Sequence, residues 1–343
     1  MTDDRFSTRI ALLPNLQGLG GPASFAAKLA QGLAARGVGV TFDPDDPSAA
    51  ALLVIGGTRD LAAIRRAKKR GLRIVQRLNG MNWIHRQRNT GMRHYLRSEA
   101  NNALLSFIRR NLATRIVYQS HFSQNWWERV YGVPDKPASV VYNGVDLTAY
   151  TPEGENHLPS DHLRLLLVEG HLGGGNEPGL ENAAALVEDL QTRHGLPLRL
   201  AVAGDAPAAL RAQFEHRAGG IDWLGIIPRE RIPILDRSAH IFFSADLNAA
   251  CPNSVVEALA CGLPVVAFDT GALGEMVAND AGVVASYGSD YWKLEPPVIA
   301  PLADAAAQIL HDLPAYRRAA RAQAEAHFGL DTMVEGYLAA LLG

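Results

Sequence analysis

Residues 248–267 read Asn248-Ala-Ala-Cys-Pro-Asn-Ser-Val-Val-Glu-Ala-Leu-Ala-Cys-Gly-Leu-Pro-Val-Val-Ala267. Pro252 suits a first helical turn, because it has no N–H to lose, and Asn253 and Ser254 are residue types that cap helices. Gly262 stands where a helix would end. The apolar run between these signals predicts a short buried helix, and the valines at the end of the stretch predict a buried parallel strand.

This loop and helix have the chemistry of an anion site. Backbone N–H groups at a helix N-terminus are free to bind a phosphate. Glu257 follows one turn later as a lone carboxylate on an apolar helix. A carboxylate is costly to bury unless it is hydrogen-bonded, and the hydroxyls of a ribose would bond it well. The alternative is a capped core helix with Glu257 at its rim.

The composition predicts a two-domain protein without disulfides. The chain has 343 residues, of which 48% are hydrophobic, and domains of about 150 residues are typical. Both cysteines, Cys251 and Cys261, lie in the stretch quoted above, which favours small buried residues in a reducing compartment. The polar start and the lack of an apolar run approaching ~18 residues predict a cytoplasmic protein.

The charges are divided between the two halves. Residues 1–150 contain 21 Lys and Arg against 10 Asp and Glu, a balance of +11, and residues 151–343 contain 12 against 25, a balance of −13. The basic half could face an anionic membrane, an anionic acceptor or nucleic acid, or it could complement its acidic partner domain. We expect no nucleic-acid partner, and peripheral contact with a membrane is a hypothesis.

Strands alternate with helices along most of the chain, which predicts parallel α/β sheets. Residues 81–101 are polar and basic with little periodicity, and they are predicted as a mobile loop. Turn residues at 144–162 predict the linker, and three amphipathic helices are predicted to close the chain. The predicted strands are residues 9–14, 38–42, 51–55, 73–77, 116–119, 140–142, 163–168, 197–203, 221–224, 240–244, 264–268 and 282–285.

One motif favours a different function. Gly18-x-Gly20-x-x-Ala23 follows a strand and opens a helix, and Asp43 lies 20 residues beyond Ala23. This spacing formally fits a dinucleotide-binding fingerprint, so an NAD-dependent oxidoreductase is an alternative. Asp43 also begins a turn-rich segment, which favours a loop acid. The histidines and cysteines have no metal-ligand spacing, and no metal site is predicted.

Together these motifs resemble the retaining glycosyltransferases of family 4, which have the GT-B fold. The most specific motif is Asn253–Val266, and the resemblance spans nearly the whole chain. The other matching segments are Gly20–Val38, Val141–Asp146, Ala203–Asp205 and Thr270–Glu275.

The resemblance implies two Rossmann-like domains with parallel sheets facing a central cleft. The expected divisions are an acceptor-side domain at 1–148, a nucleotide-sugar domain at 149–325, and a C-terminal helix at 326–343 that packs back on the first domain. The implied reaction moves a sugar, with retention, from a UDP- or GDP-sugar to a glycan, lipid-linked or small-molecule acceptor. The family needs no metal or resident cofactor.

The resemblance also implies roles for individual residues. Glu257 should hold the ribose, and Asn79, at the end of a strand, should face the acceptor. His121 is a second acceptor-side candidate. Glu257 and Asn79 are the expected catalytic positions. The expected donor-binding residues are Gly20, Gly21, Gly170, His171, Gly204, Pro252, Asn253, Ser254, Val255 and Glu257.

The chain departs from the family pattern in two places. Where the family has an acid eight positions before Glu257, this chain has Ala249, with Asp246 three residues away. The family's Arg and Lys are also missing from residues 169–179, where His171 or an N–H nest at Gly173–Gly175 could take over. A nucleotide-sugar-binding protein with little or no activity is therefore a second hypothesis.

Overall fold

The computed structural model describes residues 6–16, 18, 20–173, 177–215, 217 and 220–343. Its strands form two parallel sheets, in the orders β2-β1-β3-β4-β5-β6 and β12-β11-β10-β7-β8-β9. The strands are β1 Thr8–Leu13, β2 Val38–Thr41, β3 Ala49–Ile55, β4 Arg73–Leu78, β5 Arg115–Tyr118, β6 Ala138–Val140, β7 Leu163–His171, β8 Leu198–Asp205, β9 Ile221–Gly225, β10 Ile241–Ser244, β11 Val265–Phe268 and β12 Gly282–Ala285. All the predicted strands are present, with the sixth displaced by two residues.

Helices connect most successive strands, and three more helices follow the last strand. They are α1 Gly21–Ala34, α2 Leu61–Lys69, α3 Met92–Phe107, α4 His121–Tyr131, α5 Glu177–Thr192, α6 Ala208–Gln213, α7 Ile232–Arg237, α8 Asn253–Ala260, α9 Leu273–Met276, α10 Ile299–His311, α11 Leu313–His327 and α12 Leu330–Leu341. Short 3₁₀ turns lie at Ile84–Arg86, Arg229–Arg231 and Tyr291–Lys293, and a π-helical turn follows α3 at Ile108–Leu112.

The chain forms two compact units. One contains residues 1–144 and 330–343, and the other contains residues 145–329. The sequence prediction put the divisions at 148/149 and 325/326, four residues away in each case. Helix α12 lies in the first unit and packs against α1, where the side chain of Val334 occupies the space that a Cβ on Gly32 would need.

Both faces of the first sheet are covered, so its strands are apolar on both sides. Ile10 and Leu12 of β1 share a core with α1 and α12, whereas Ala11 and Leu13 point to the other face and share a core with α2. The second sheet has a core of the same kind between β7, β8, β10 and helices α5 and α10. These continuous apolar runs are what allowed the strands to be predicted.

The strand order identifies where each sheet reverses its winding. In the second sheet the chain starts at central β7, runs outward through β8 and β9, and returns through β10 to β12 on the other side. The reversal therefore lies between β7 and β10. In the first sheet it lies between β1 and β3. Ligands of open α/β sheets bind at such a reversal, at the carboxyl ends of the strands.

The prediction of a loop at residues 81–101 was wrong. A 3₁₀ turn occupies 84–86, and α3 begins at Met92, within that segment. The residues of α3 that are buried are Ser98, Asn102 and Ser106. Residues 92–101 have polar side chains on the buried side and so lack the apolar periodicity of a helix, and the helix predicted around residues 102–112 covers only the end of α3.

Candidate functional site

Helix α8 starts beside the winding reversal of the second sheet. Its N-cap residue, Pro252, has an extended backbone and no side chain that could accept a hydrogen bond. The loop before it comes from β10 and the strand after it is β11, so the helix N-terminus lies at the carboxyl edge of the sheet. The first turn, formed by Asn253, Ser254 and Val255, presents the N–H groups that the sequence predicted.

The C-terminal end of α8 is secured by a cation. The Arg321 guanidinium donates to the carbonyls of Ala260 and Tyr150, each at 2.7 Å. Gly262 has a φ of +67°, in the left-handed region that glycine favours after a helix. The helix packs against α7, α11, β10 and β11. These contacts fix the N-terminal turn relative to the sheet.

Glu257 is the half-buried residue among buried neighbours on this helix. Behind it, Asp236 of α7 is fully buried and accepts a hydrogen bond from the Cys261 thiol. Burial, together with the charge of Glu257, holds the pKa of the Asp236 carboxyl well above its usual range. Burial and the same charge also raise the pKa of Tyr150. Glu257 is thus the member of this cluster that faces outward.

The end of β7 carries the second set of predicted donor residues, Gly170 and His171. Between the pairs Val168–Ala203 and His171–Asp205, β7 has one residue more than β8. A bulge of this kind re-aims side chains, and bulges are over-represented next to active sites. A Cβ on Gly170 would meet nothing within 4 Å. The space beside Gly170 is therefore open.

Gly204 has a structural reason to be glycine. Its φ is +142°, and a Cβ there would stand 1.9 Å from the carbonyl oxygen of Glu169. No side chain fits between the two strands at this point. Its predicted donor role is therefore not needed to explain the residue, although it lies at the same edge.

His171 is held by a residue that the sequence analysis did not select. Its Nδ1 lies 2.9 Å from Oδ2 of Asp205, the last residue of β8. A carboxylate on one ring nitrogen fixes the orientation of an imidazole. The predicted N–H nest includes Gly174 and Gly175, which lie outside the described residues.

Two acids meet at the winding reversal. Glu169 stands at the β7 bulge, and Asp246 follows the end of β10. Burial raises the pKa of the Glu169 carboxyl well above its usual range, and the nearby charge of Asp246 raises it further. Asp246 lies three positions from the expected acid, and Glu169 is not among the residues that the sequence predicts for the site. Their meeting depends on strand order, which a linear motif does not contain.

The loop between β10 and α8 also contains buried polar groups. Asn248 is 4% exposed, and within the described part of the chain neither its Oδ1 nor its Nδ2 has a hydrogen-bond partner. The hydroxyl of buried Thr270, after β11, has none there either. Gly271 lies against the backbone of Asn248 and Ala249, which leaves no room for a Cβ. The two loops are packed together at this edge.

In the first unit, the predicted residues lie at the carboxyl ends of different strands. Gly20 precedes α1, and a Cβ there would meet nothing within 4 Å. Gly21 is the first residue of α1. The Asn79 carbonyl after β4 accepts bonds from Trp127 Nε1 at 2.7 Å and Ser123 Oγ at 3.3 Å. His121 is the first residue of α4. Parallel strands bring these residues to one edge of the sheet.

Asp43, the acid of the alternative dinucleotide motif, forms a hydrogen bond within its own loop. Its Oδ1 accepts a hydrogen bond from the backbone N–H of Asp45 at 2.9 Å. This is an Asx turn, which a loop acid commonly forms. Among the residues that the structure describes, no three His, Cys, Asp or Glu side chains are grouped to hold a metal ion, and no helix combines the length and apolar character needed to cross a bilayer.

Two family models match the chain. The model described as "Glycosyltransferase Family 4" matches residues 57–149, and the model described as "Glycosyl transferases group 1" matches residues 164–312. A GDP-mannose-dependent α-(1-6)-phosphatidylinositol dimannoside mannosyltransferase of Mycobacterium tuberculosis is 36% identical over 127 residues, which are 36% of this chain and 30% of that protein. The matched stretches span 18% to 45% of the length of the curated relatives.

Solved structures share the fold over nearly the whole chain. Sucrose-phosphate synthase from Thermosynechococcus elongatus has a TM-score of 0.73 at 16% identity, covering 96% of this chain and 97% of its own. Anabaena HepE, in complex with UDP and glucose, has a TM-score of 0.67 at 16% identity, covering 97% and 99%. At these identities the likeness establishes the fold, which is GT-B.

Proposed function

The chain belongs to the family 4 glycosyltransferases, and from that premise we propose that it transfers a sugar from a nucleotide-sugar donor to an acceptor with retention of configuration. The donor is a UDP- or GDP-sugar. The acceptor is a glycan, a lipid-linked sugar or a small molecule. The similar proteins support this choice, because one is named as GDP-mannose-dependent and another was crystallised with UDP and glucose.

The observation that carries the proposal is the position of Glu257. It is a half-buried carboxylate on α8, one turn from a helix N-terminus at the winding reversal of a parallel sheet. The N–H groups of the first turn bind the diphosphate, and the helix dipole favours its negative charge. Glu257 accepts hydrogen bonds from the ribose hydroxyls. A single ligand with a ribose next to a diphosphate binds both Glu257 and the N–H groups of the first turn.

In its protonated form, His171 takes the place of the Arg and Lys that are missing from residues 169–179 and contacts the leaving diphosphate. Asp205 orients the imidazole from the Nδ1 side. Stabilising the charge that develops in a transition state is commonly the largest catalytic contribution, and removing one such donor costs about 3–4 kcal/mol. The leaving phosphate itself takes the proton of the acceptor hydroxyl, so no separate general base is required.

Two nearby carboxyl groups replace the acid that the family has at position 249, where this chain has alanine. Asp246 and Glu169 share the neighbourhood of the β7 bulge, and the raised pKa of Glu169 keeps that carboxyl protonated further toward neutral pH. A protonated carboxyl donates a hydrogen bond and does not repel the diphosphate. The pair therefore holds the hydroxyls of the transferred sugar. In the first unit, Asn79 orients the acceptor hydroxyl and His121 lines the acceptor side.

The test is release of nucleoside diphosphate from UDP- and GDP-sugars, measured with and without a panel of glycan and lipid-linked acceptors. Acceptor-dependent release, with the anomeric configuration of the product retained by NMR, is the expected result. Binding of the donor without release under any acceptor would favour the second hypothesis, a nucleotide-sugar-binding protein that lost activity with its Arg and Lys. Turnover with an inverted product would contradict the retaining mechanism.

A further inference from the structure

Helix α3 has an apolar stripe on its solvent-exposed side. Met92 and Leu96 are 74% and 59% exposed, and Phe107 is 38% exposed. Ala100 and Ala103 are exposed as well. At 100° per residue these five positions lie within about 80° of one another around the helix axis. We call these five residues the α3 stripe. It runs the length of a 16-residue helix, about 24 Å.

The buried side of α3, about 120° around the helix axis from the stripe, has polar side chains. Asn102 is 1% exposed, and its side chain binds the backbone of Asn82 through both amide atoms, Oδ1 to the N–H at 3.1 Å and Nδ2 to the carbonyl at 2.8 Å. Ser98 and Ser106 lie on the same side. Leu104 and Leu105 of this helix are partly buried, and Leu104 packs against the core. The five stripe residues face water and lie outside this packing.

Arginines flank the stripe on one side. Arg93 and Arg97 are exposed on α3, and Arg88 is exposed in the preceding loop. None of the three forms an ion pair within the described residues. The acid of this helix, Glu99, is already occupied by Arg86 and His85. Residues 84–107 contain four Arg and one Glu, a balance of +3.

Other exposed apolar side chains do not form such a surface. Val133 and Ile226 are 76% and 67% exposed, and each stands on a separate segment of the chain. Single exposed apolar residues are normal and need no partner, whereas continuous apolar patches bordered by polar groups mark interaction sites. The α3 stripe has this second character.

We infer that α3 lies in the surface of an anionic lipid bilayer, with the stripe inserted among the lipid chains and the arginines against the headgroups. An amphipathic helix with a basic polar edge has the composition of an interfacial helix. A second copy of this chain is the poorer occupant, because a symmetric contact would set the three unpaired arginines against their own copies. An anionic bilayer buries the apolar stripe and pairs the arginines with negatively charged headgroups.

The test is sedimentation of the full chain with vesicles of phosphatidylcholine alone and with 30% phosphatidylglycerol, a content of roughly the scale at which anionic headgroups attract basic segments. Two variants address the surface, Met92→Ser with Leu96→Ser, and Arg93→Gln with Arg97→Gln. Two matched controls remove the same groups elsewhere, Val133→Ser with Ile226→Ser, and Arg65→Gln with Lys69→Gln on α2. No donor or acceptor is present, so the outcome does not depend on the transfer reaction.

We expect the wild-type chain to bind the anionic vesicles and to release as salt rises, since screening shortens from about 10 Å at 0.1 M to about 3 Å at 1 M. Loss of the two arginines should weaken binding by about 25-fold, roughly fivefold for each. Loss of the two stripe residues should weaken it by about tenfold or more, and both controls should bind like wild type.

Three results would overturn the inference. They are equal binding to neutral and anionic vesicles, equal losses in the variants and their controls, and a concentration-dependent dimer in sedimentation velocity that Met92→Ser with Leu96→Ser abolishes. The altered side chains are exposed, so circular dichroism should report unchanged folding in every variant.

Discussion

Helices α8 and α3 both connect parallel strands, but they differ in which side chains they bury: α8 buries apolar residues, and α3 buries polar ones. Helix α8 buries Val255, Val256 and Leu259 and leaves the half-buried Glu257 facing outward. Helix α3 buries Asn102 and two serines and leaves its apolar stripe in solvent. The first arrangement is complete within the chain and holds a functional group at a fixed place. The second is incomplete within the chain and indicates a partner.

Truncation of one leucine in each helix should give the largest difference in unfolding free energy between them. Leu259 is fully buried and Leu96 is 59% exposed. Leu259→Ala leaves a cavity in the core and should lower the free energy of unfolding by about 2–5 kcal/mol. Leu96→Ala removes the same atoms from the surface and should change it by no more than about 0.5 kcal/mol. Urea unfolding of both variants measures the difference, and similar losses would contradict the assigned polarity of α3.

The polar face of α3 is tested through the amide of Asn102. Asn102→Ala leaves the N–H and carbonyl of Asn82 unpaired, which should cost about 1–3 kcal/mol of unfolding free energy. Asn101→Ala is the control, because Asn101 is the adjacent amide and is less buried. If both variants unfold at the same urea concentration, the buried face is not held by this hydrogen bonding.

Buried Asp236 behind α8 should make stability depend on pH. Its folded pKa is raised by burial and by Glu257, so the folded state binds the proton more tightly than the unfolded state and stability falls as pH rises above about 4. Asp236→Asn cannot ionise, so its stability relative to wild type should increase as pH rises, by at most about 1.4 kcal/mol for each pH unit. A difference that is constant from pH 4 to pH 8 would contradict the raised pKa.

The contribution of Glu99 on α3 to stability should depend on pH in the opposite direction from that of Asp236, and by a smaller amount. Hydrogen bonds from Arg86 and His85 lower its pKa to about 2, so the stability it contributes is present above pH ~4.3 and is lost as pH falls toward 2. Because the group is near the surface, Glu99→Gln should cost at most about 1 kcal/mol at pH 7. Thermal unfolding from pH 7 to pH 3 should show the two proteins converging.

Local signals in the sequence were enough to predict helix α8. The apolar run and Gly262 have their expected effects, whereas the N-cap is Pro252, one residue before the predicted cap residues, and no side chain caps the helix. The strands were predicted for the same reason, since both faces of each sheet are covered and the runs are apolar throughout. The first part of α3, residues 92–101, was predicted as a loop because its buried side is polar and its apolar residues face solvent, whereas the helix predicted around residues 102–112 covers the end of α3.

Part of the candidate site could not be predicted because it depends on sheet topology. Glu169 and Asp246 are far apart in the chain, and they meet because β7 and β10 are neighbours at the winding reversal. The pairing of His171 with Asp205 depends on the one-residue bulge between β7 and β8. Gly204 was selected for ligand binding, and its tight approach to Glu169 shows a packing reason that composition alone does not reveal.

The most direct test of the donor site is isothermal titration of the wild-type protein with UDP, GDP and ADP, followed by the best of these with Glu257→Ala. Glu215→Ala, an exposed acid of the same unit, is the control. Loss of the charged hydrogen bonds to the ribose, worth about 1.5–3 kcal/mol, should weaken binding about 10- to 150-fold. The control should bind like wild type. Equal affinity of Glu257→Ala and wild type would contradict the assignment of α8 as the donor-binding helix.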